Sequence, residues 1–208
     1  SFSVLHVDLN TGKGKKLDFG SRKELMGGSG LAAALYEEYG VVDAPASDPR
    51  QPIIFAIGPL TGFFPLMSKT VCGFKSPYNN QYAESHAGGR LALALRFSGY
   101  HALMITGEAK LLSSMTIGSR RLEIYDVHYL RGQDIFTTGK LLRRLGRGQS
   151  AGHRSILRIG PAGEMGSAYA CINVDTYRHF GRLGAGAVMG FKKLKAITVV
   201  GDSAFPLQ

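Results

Sequence analysis

The chain has 208 residues, 44% of them apolar and 19% charged, a balance that suits an ordinary globular core and excludes disorder. No apolar run approaches the roughly 20 residues that cross a bilayer, and residues 1–10 lack the charged end and apolar stretch of a secretory leader, so a cytoplasmic protein with no membrane association is expected. The formal charge of +10 falls mainly in residues 111–208, where 14 Lys/Arg face 6 Asp/Glu, leaving a phosphorylated cofactor, an acidic protein or nucleic acid as candidate ligands.

Residues 2–9 alternate apolar and polar side chains, which predicts a strand. The turn Asn10-Thr11-Gly12 leads to a second strand at about 15–19. A helix is predicted over 30–39 from Leu31, Leu35 and Tyr39 at four-residue spacing, with Ser29 as its cap and Gly40 as its stop. A buried strand at 53–57 ends in Gly58-Pro59. A long irregular stretch follows, broken by a short strand around Cys72. A helix over 89–97 then runs through Gly99 into a strand at 102–106.

The same order then recurs. A hairpin pairs 115–117 with 122–125 around Gly118-Ser119. A helix over 134–145, capped by Asp134, closes at Gly146. A buried strand at 156–159 ends in Gly160-Pro161, and a helix over 184–189 leads through Gly190 into a strand at 196–200. The two Ile-Gly-Pro breaks, at 57 and 159, lie 102 residues apart. This predicts a single α+β domain spanning 1–208, internally duplicated, with halves of about 1–107 and 108–201.

Two glycine-rich segments carry the chemical signal. They are Ser85-His86-Ala87-Gly88-Gly89-Arg90 and the run from Arg178 through Gly181 and Gly184 to Ala187. Each is expected to open the last helix of its half, where free N–H groups and nearby Arg side chains suit phosphate. Glycine also lets helices pack closely on sheets, so the glycines alone leave both readings open. Neither segment has the strand and distal acid of a dinucleotide fingerprint. Ser29 lacks the full nucleophile-elbow pattern, and no two of the six histidines have the spacing of a helical zinc site. The two cysteines, Cys72 and Cys171, are expected to be reduced and buried, with no disulfide framework and no CxxC pair. The chain opens on Ser1, not Met, which suggests processing or a longer parent.

Several segments in collinear order resemble the aldehyde ferredoxin oxidoreductases. They are Gly58-Pro59-Leu60-Thr61-Gly62, Lys75-Ser76-Pro77, Gly88-Gly89 with Phe97-Ser98-Gly99-Tyr100, Ile159-Gly160-Pro161-Ala162-Gly163-Glu164, and 181–197. The resemblance spans essentially the whole chain. It implies two packed mixed β-sheets with flanking helices, forming a base on which a tungsten (or molybdenum) bis-pterin lies. It also implies cofactor contacts at Lys69, His86, Ala87, Gly88, Gly89, Arg178, His179, Phe180, Gly181, Arg182 and Gly184, with no catalytic or metal-ligating residue in the chain. Lys69 stands where the family has Arg and His86 where it has Asn, while Phe180 and Leu183 replace small residues close to a flat ligand. The family's iron–sulfur cysteines and acid–base residues lie in later domains, so no cluster is expected in this chain and no turnover from it alone. The implied partners are those remaining domains or a partner subunit, with ferredoxin reached indirectly. An exposed patch at Met67, Phe180 and Leu183 predicts docking or self-association. The alternatives are a non-catalytic cofactor carrier or a protein-interaction module. A nucleic-acid binder is less favoured, for want of a recognised motif or a basic stripe interleaved with aromatics.

Overall fold

The computed structural model describes residues 1–20, 23–146 and 154–204, so residues 147–153 of the basic stretch lie outside the described residues. The first half runs β1 (Ser3–Asp8), β2 (Lys13–Asp18), α1 (Gly28–Tyr39), β3 (Ile53–Ile57), β4 (Thr70–Lys75), β5 (Tyr82–Ala87), α2 (Leu91–Phe97) and β6 (Ala102–Thr106). The second runs β7 (Ser113–Gly118), β8 (Arg121–Asp126), α3 (Ile135–Leu145), β9 (Arg154–Arg158), a short α4 (Pro161–Glu164), β10 (Ile172–Val174), β11 (Arg178–Phe180), α5 (Ala185–Phe191) and β12 (Leu194–Val200).

The strands form two six-stranded mixed sheets, ordered β2-β1-β6-β3-β4-β5 and β8-β7-β12-β9-β10-β11. In the first, only β1 and β6 are parallel; in the second, only β7 and β12 are. Strand for strand, the two sheets share one order and one set of directions. β3 and β12 are buried at every residue, as strands covered on both faces are: β3 is apolar throughout, and β12 is apolar except for the buried Lys195 and Thr198.

One core joins the facing sides of the sheets, with Phe55, Phe74 and Ile105 from the first meeting Ile117, Leu157, Phe180 and Ile197 from the second. The outer face of the first sheet carries α1, whose Leu31 and Leu35 cover Ile54, Ala56 and Met104. The outer face of the second carries α3, with Leu142 over Ile156 and Ala196. The remaining two longer helices lie between the sheets. α2 touches β3 of its own sheet and β9 and β12 of the other, and α5 touches β12 and β4. Both are apolar around most of their circumference, as a helix without a solvent face must be.

Several expectations need correction. Ser29 does not cap α1: the helix begins two residues earlier than expected, at Gly28, with Gly27 in the capping position at φ 76°, and the Ser29 hydroxyl instead donates to Glu84 Oε2 at 2.7 Å. Asp134 does cap α3, accepting from the Phe136 and Thr137 amides at 2.7 and 2.8 Å. The strand expected around Cys72 is β4, but the stretch also holds β5, which was not expected and which pairs with β4 from Thr70↔Ala87 to Lys75↔Tyr82. Cys72 is buried, but Cys171 is exposed, since it lies ahead of β10 where the chain leaves the core. Among the described residues, no helix is long and apolar enough to cross a membrane.

Candidate functional site

β5 and β11 are the edge strands of their sheets, and the fold brings these two edges together. The Arg182 amide donates to Ser85 Oγ at 3.2 Å, and Ser76 Oγ donates to the Leu183 carbonyl at 2.7 Å. A Cβ on Gly89 would lie 3.3 Å from Arg178 Cγ. Segments some hundred residues apart in sequence therefore form one surface. Lys69 joins it through register, because Thr70 pairs with Ala87 and the next residues beyond that pair are Lys69 and Gly88.

Of the expected contact residues, Lys69, His86, Arg178, His179, Gly181 and Arg182 are exposed, and Gly88 and Gly89 are half-buried. Ala87, Phe180 and Gly184 turn inward. Phe180 is fully buried, with its ring 5.6 Å from that of Phe55, so its side chain cannot line a surface for a flat ligand or extend an exposed patch. The reason is strand pairing: residues 178–180 form a strand paired with β10, and the Ile172↔Phe180 pair faces the core.

Nor do the helix N-termini face the surface. Ala185 and Leu91 are buried, and the Gly186 amide in the first turn of α5 already donates to the Ala170 carbonyl at 2.9 Å. The positive character of the surface comes from side chains. His86 Nε2 lies 3.2 Å from Glu84 Oε2, while the Tyr82 hydroxyl donates to Glu84 Oε1 at 2.9 Å. Burial, reinforced by Glu84, pushes the Tyr82 phenol upward and keeps it protonated. His179 Nε2 sits 3.0 Å from Asn173 Nδ2. Among the described residues, no three His, Cys, Asp or Glu are grouped to hold a metal ion.

Beside Lys69 the loop after β3 forms a cavity of about 360 Å³ lined by Met26, Pro59, Leu60, Leu66 and Met67 among others. Leu66 is 97% exposed and Met26 71%, and both have left-handed backbones, at φ 65° and 51°. Sequence reasoning placed Met67 on an exposed patch but missed this hollow. The signal was present in the unbroken run Phe63-Phe64-Pro65-Leu66-Met67, which is too apolar for an ordinary loop.

The sequence model of the aldehyde ferredoxin oxidoreductase N-terminal domain matches residues 4–201. The chain belongs to this family. The tungsten-containing aldehyde ferredoxin oxidoreductases of Pyrococcus furiosus and Pyrococcus abyssi are 34% and 36% identical to it, over 98% and 95% of the chain. A subunit of the Pyrococcus furiosus aliphatic sulfonate oxidoreductase is 29% identical over 98% of the chain. Among solved structures, the BamBC active-site complex of benzoyl coenzyme A reductase superposes with a TM-score of 0.89 at 30% identity, over 98% of this chain and 31% of that one. The aldehyde ferredoxin oxidoreductase domain described here spans about a third of the length of these relatives.

Proposed function

We propose that this domain binds a tungsten (or molybdenum) bis-pterin on the surface where β5 and β11 meet. The meeting of the two sheet edges carries the reading, because it gathers Lys69, Arg178 and Arg182 around the half-buried Gly88 and Gly89. The residues fit an anionic, flat group. A Cβ on Gly88 would find nothing within 4 Å, which leaves open space directly above its backbone. The guanidinium groups of Arg178 and Arg182 supply fixed charge and paired donors for phosphate oxygens, and Lys69 supplies a point charge. When bound, the cofactor supplies two-electron oxidation of an aldehyde to a carboxylate; this chain binds it and orients it.

The relatives' names span aldehydes, a sulfonate and a benzoyl thioester. That spread supports a domain that holds the cofactor and leaves the choice of substrate to other parts of the enzyme. The iron–sulfur cluster and electron transfer to ferredoxin belong to those parts, because a four-iron cluster needs about four thiolates and this chain has two. The exposed apolar loop at Leu66 and Met67 is the face on which they dock. The shared sheet order supports a single duplicated domain with halves of about 1–107 and 108–201, and a cytoplasmic location suits the redox chemistry.

The test is titration of the protein with molybdopterin, followed by the pterin's absorbance. Arg182→Ala should weaken binding about tenfold or more, the loss expected for one charge-assisted contact of roughly 1.5–3 kcal/mol. Absence of binding by the unaltered protein would remove the reading.

A further inference from the structure

A second cationic hollow lies where α3 crosses β9 and meets the β10–β11 turn. It measures about 260 Å³ and is lined by Arg90, Arg143 and Arg154 together with the turn residues Asp175, Thr176 and Tyr177. Beneath it lies Arg158, which is fully buried. Arg158 Nη2 donates to Thr176 Oγ1 at 2.9 Å. Its Nε and Nη1 have no hydrogen-bond partner, and they face Gly139 of α3, where a Cβ would fall 2.5 Å from the guanidinium carbon.

Four guanidinium groups here oppose one carboxylate, and that carboxylate is already engaged. Asp175 Oδ2 accepts from Ser155 Oγ at 2.7 Å, and Oδ1 accepts from the Ile156 amide at 2.9 Å. Arg90 approaches it only to 4.0 Å. Among the described residues, Arg143 and Arg154 have no carboxylate partner, and Arg154 Nη1 reaches only the Gly146 carbonyl at 3.4 Å. Burial, and after it repulsion from Arg143, draws Arg158 down to about 10, with Asp175 offsetting only part of the effect. It remains charged at neutral pH, so four guanidinium groups against one carboxylate leave the hollow with an excess of positive charge.

We propose that this hollow is a binding site for a phosphate-class oxyanion, contacted by Arg143, Arg154 and the Thr176 hydroxyl, with Arg158 as the buried charge that the anion neutralises. The Thr176 oxygen accepts from Arg158, which leaves its own proton free to donate to the anion. Mobile guanidinium forks suit the paired oxygens of a phosphoryl group. The volume falls below the roughly 300–1,000 Å³ of drug-sized ligand sites, which favours phosphate, pyrophosphate or one phosphoryl group of a larger molecule. The hollow adjoins the cofactor surface, since Arg90 follows Gly89 and Tyr177 precedes Arg178, but none of the residues assigned to the cofactor lines it.

The experiment is titration calorimetry and thermal melting of the 208-residue chain with inorganic phosphate, pyrophosphate and a simple phosphate monoester. Saturable phosphate binding with a rise in Tm is expected. Arg143→Ala with Arg154→Ala should raise the Kd at least tenfold, and Arg50→Ala, an exposed arginine paired with Asp48 that does not line the hollow, should leave it unchanged. Arg158→Met should raise the Tm of the phosphate-free protein and flatten its response to phosphate; if that variant fails to fold, the Arg143/Arg154 pair decides alone. Tighter binding of the monoester points to a phosphoryl group on a larger molecule, and tighter binding of pyrophosphate points to a free ion. No saturable phosphate binding by the unaltered protein, or an unchanged Kd in the Arg143/Arg154 variant, overturns the proposal.

Discussion

Gly88→Ala separates what the ligand needs from what the fold needs. Gly88 has no positive φ, and an added Cβ would meet nothing within 4 Å. In the protein alone the substitution should therefore stay within about 0.5 kcal/mol of neutral, the range of surface changes that disturb no special feature. For a chain of this size that is at most about 2 °C in Tm. Its neighbour behaves oppositely. Gly89 has φ 103°, and its Cβ would press on Arg178 Cγ at 3.3 Å, so Gly89→Ala should cost about 1–3 kcal/mol in strain without any ligand present. In the presence of molybdopterin the order changes. A methyl on Gly88 would stand in the space the flat ligand fills, and overpacking of about 1–3 kcal/mol corresponds to a tenfold or greater loss of affinity. Melting curves and pterin titration of the two variants measure both numbers. If Gly88→Ala binds molybdopterin as tightly as the unaltered protein, the cofactor does not lie over this backbone.

Gly190→Ala should destabilise the protein by about 2 kcal/mol or more: helix propensity favours alanine by roughly 1 kcal/mol, but the new Cβ would drive into the Gly163 carbonyl where α4 crosses α5, and the collision outweighs the gain. Chemical denaturation reads this directly, and an unchanged midpoint would show that α4 yields. His101 is held near 4, first by burial and then by Arg96, the N-terminal amine and Lys16. Its folded value lies below the ordinary 6.5, so the unfolded chain binds the extra proton between those limits, and stability should fall as pH drops from about 6.5 to 4. Melting temperature against pH measures the slope, and His101→Gln should flatten it. Iodoacetamide should modify Cys171 in the native protein and Cys72 only after unfolding, because Cys72 is buried and burial pushes its thiol upward. Peptide mass spectrometry checks the order, and equal rates would contradict the buried position of Cys72.

The strands expected at 53–57, 102–106 and 196–200 were legible because burial leaves them mostly apolar; the last begins two residues earlier, at Leu194, where the buried Lys195 hid its start. β5 was not, because only Ala83, Ser85 and Ala87 face inward and all three are small; its outward Glu84 and His86 gave the segment the look of a loop. β10 and β11 have three residues each, too few for a period to show. The site was legible as two separate segments, since glycine beside arginine is a local pattern. That Ser85 and Arg182 touch is set by which strands end at the sheet edges, and no local pattern encodes this. Phe180 was misjudged for the same reason: its inward direction follows from pairing with Ile172, a choice made by the sheet and not by its neighbours in sequence.

The placement of α2 and α5 between the sheets governs how the chain must fold. Leu91 and Leu95 on one helix, and Val188 and Met189 on the other, reach their burial only against strands contributed by both halves. β1 pairs with β6, and β7 with β12, across nearly the whole of each half, so these pairings are non-local and must wait for the closure of long loops. Neither half can complete an interior by itself, and one emerging from the ribosome first would present a bare apolar layer until its counterpart arrived. The chain should unfold in a single cooperative transition, and its separated halves should be insoluble apart yet assemble when refolded together.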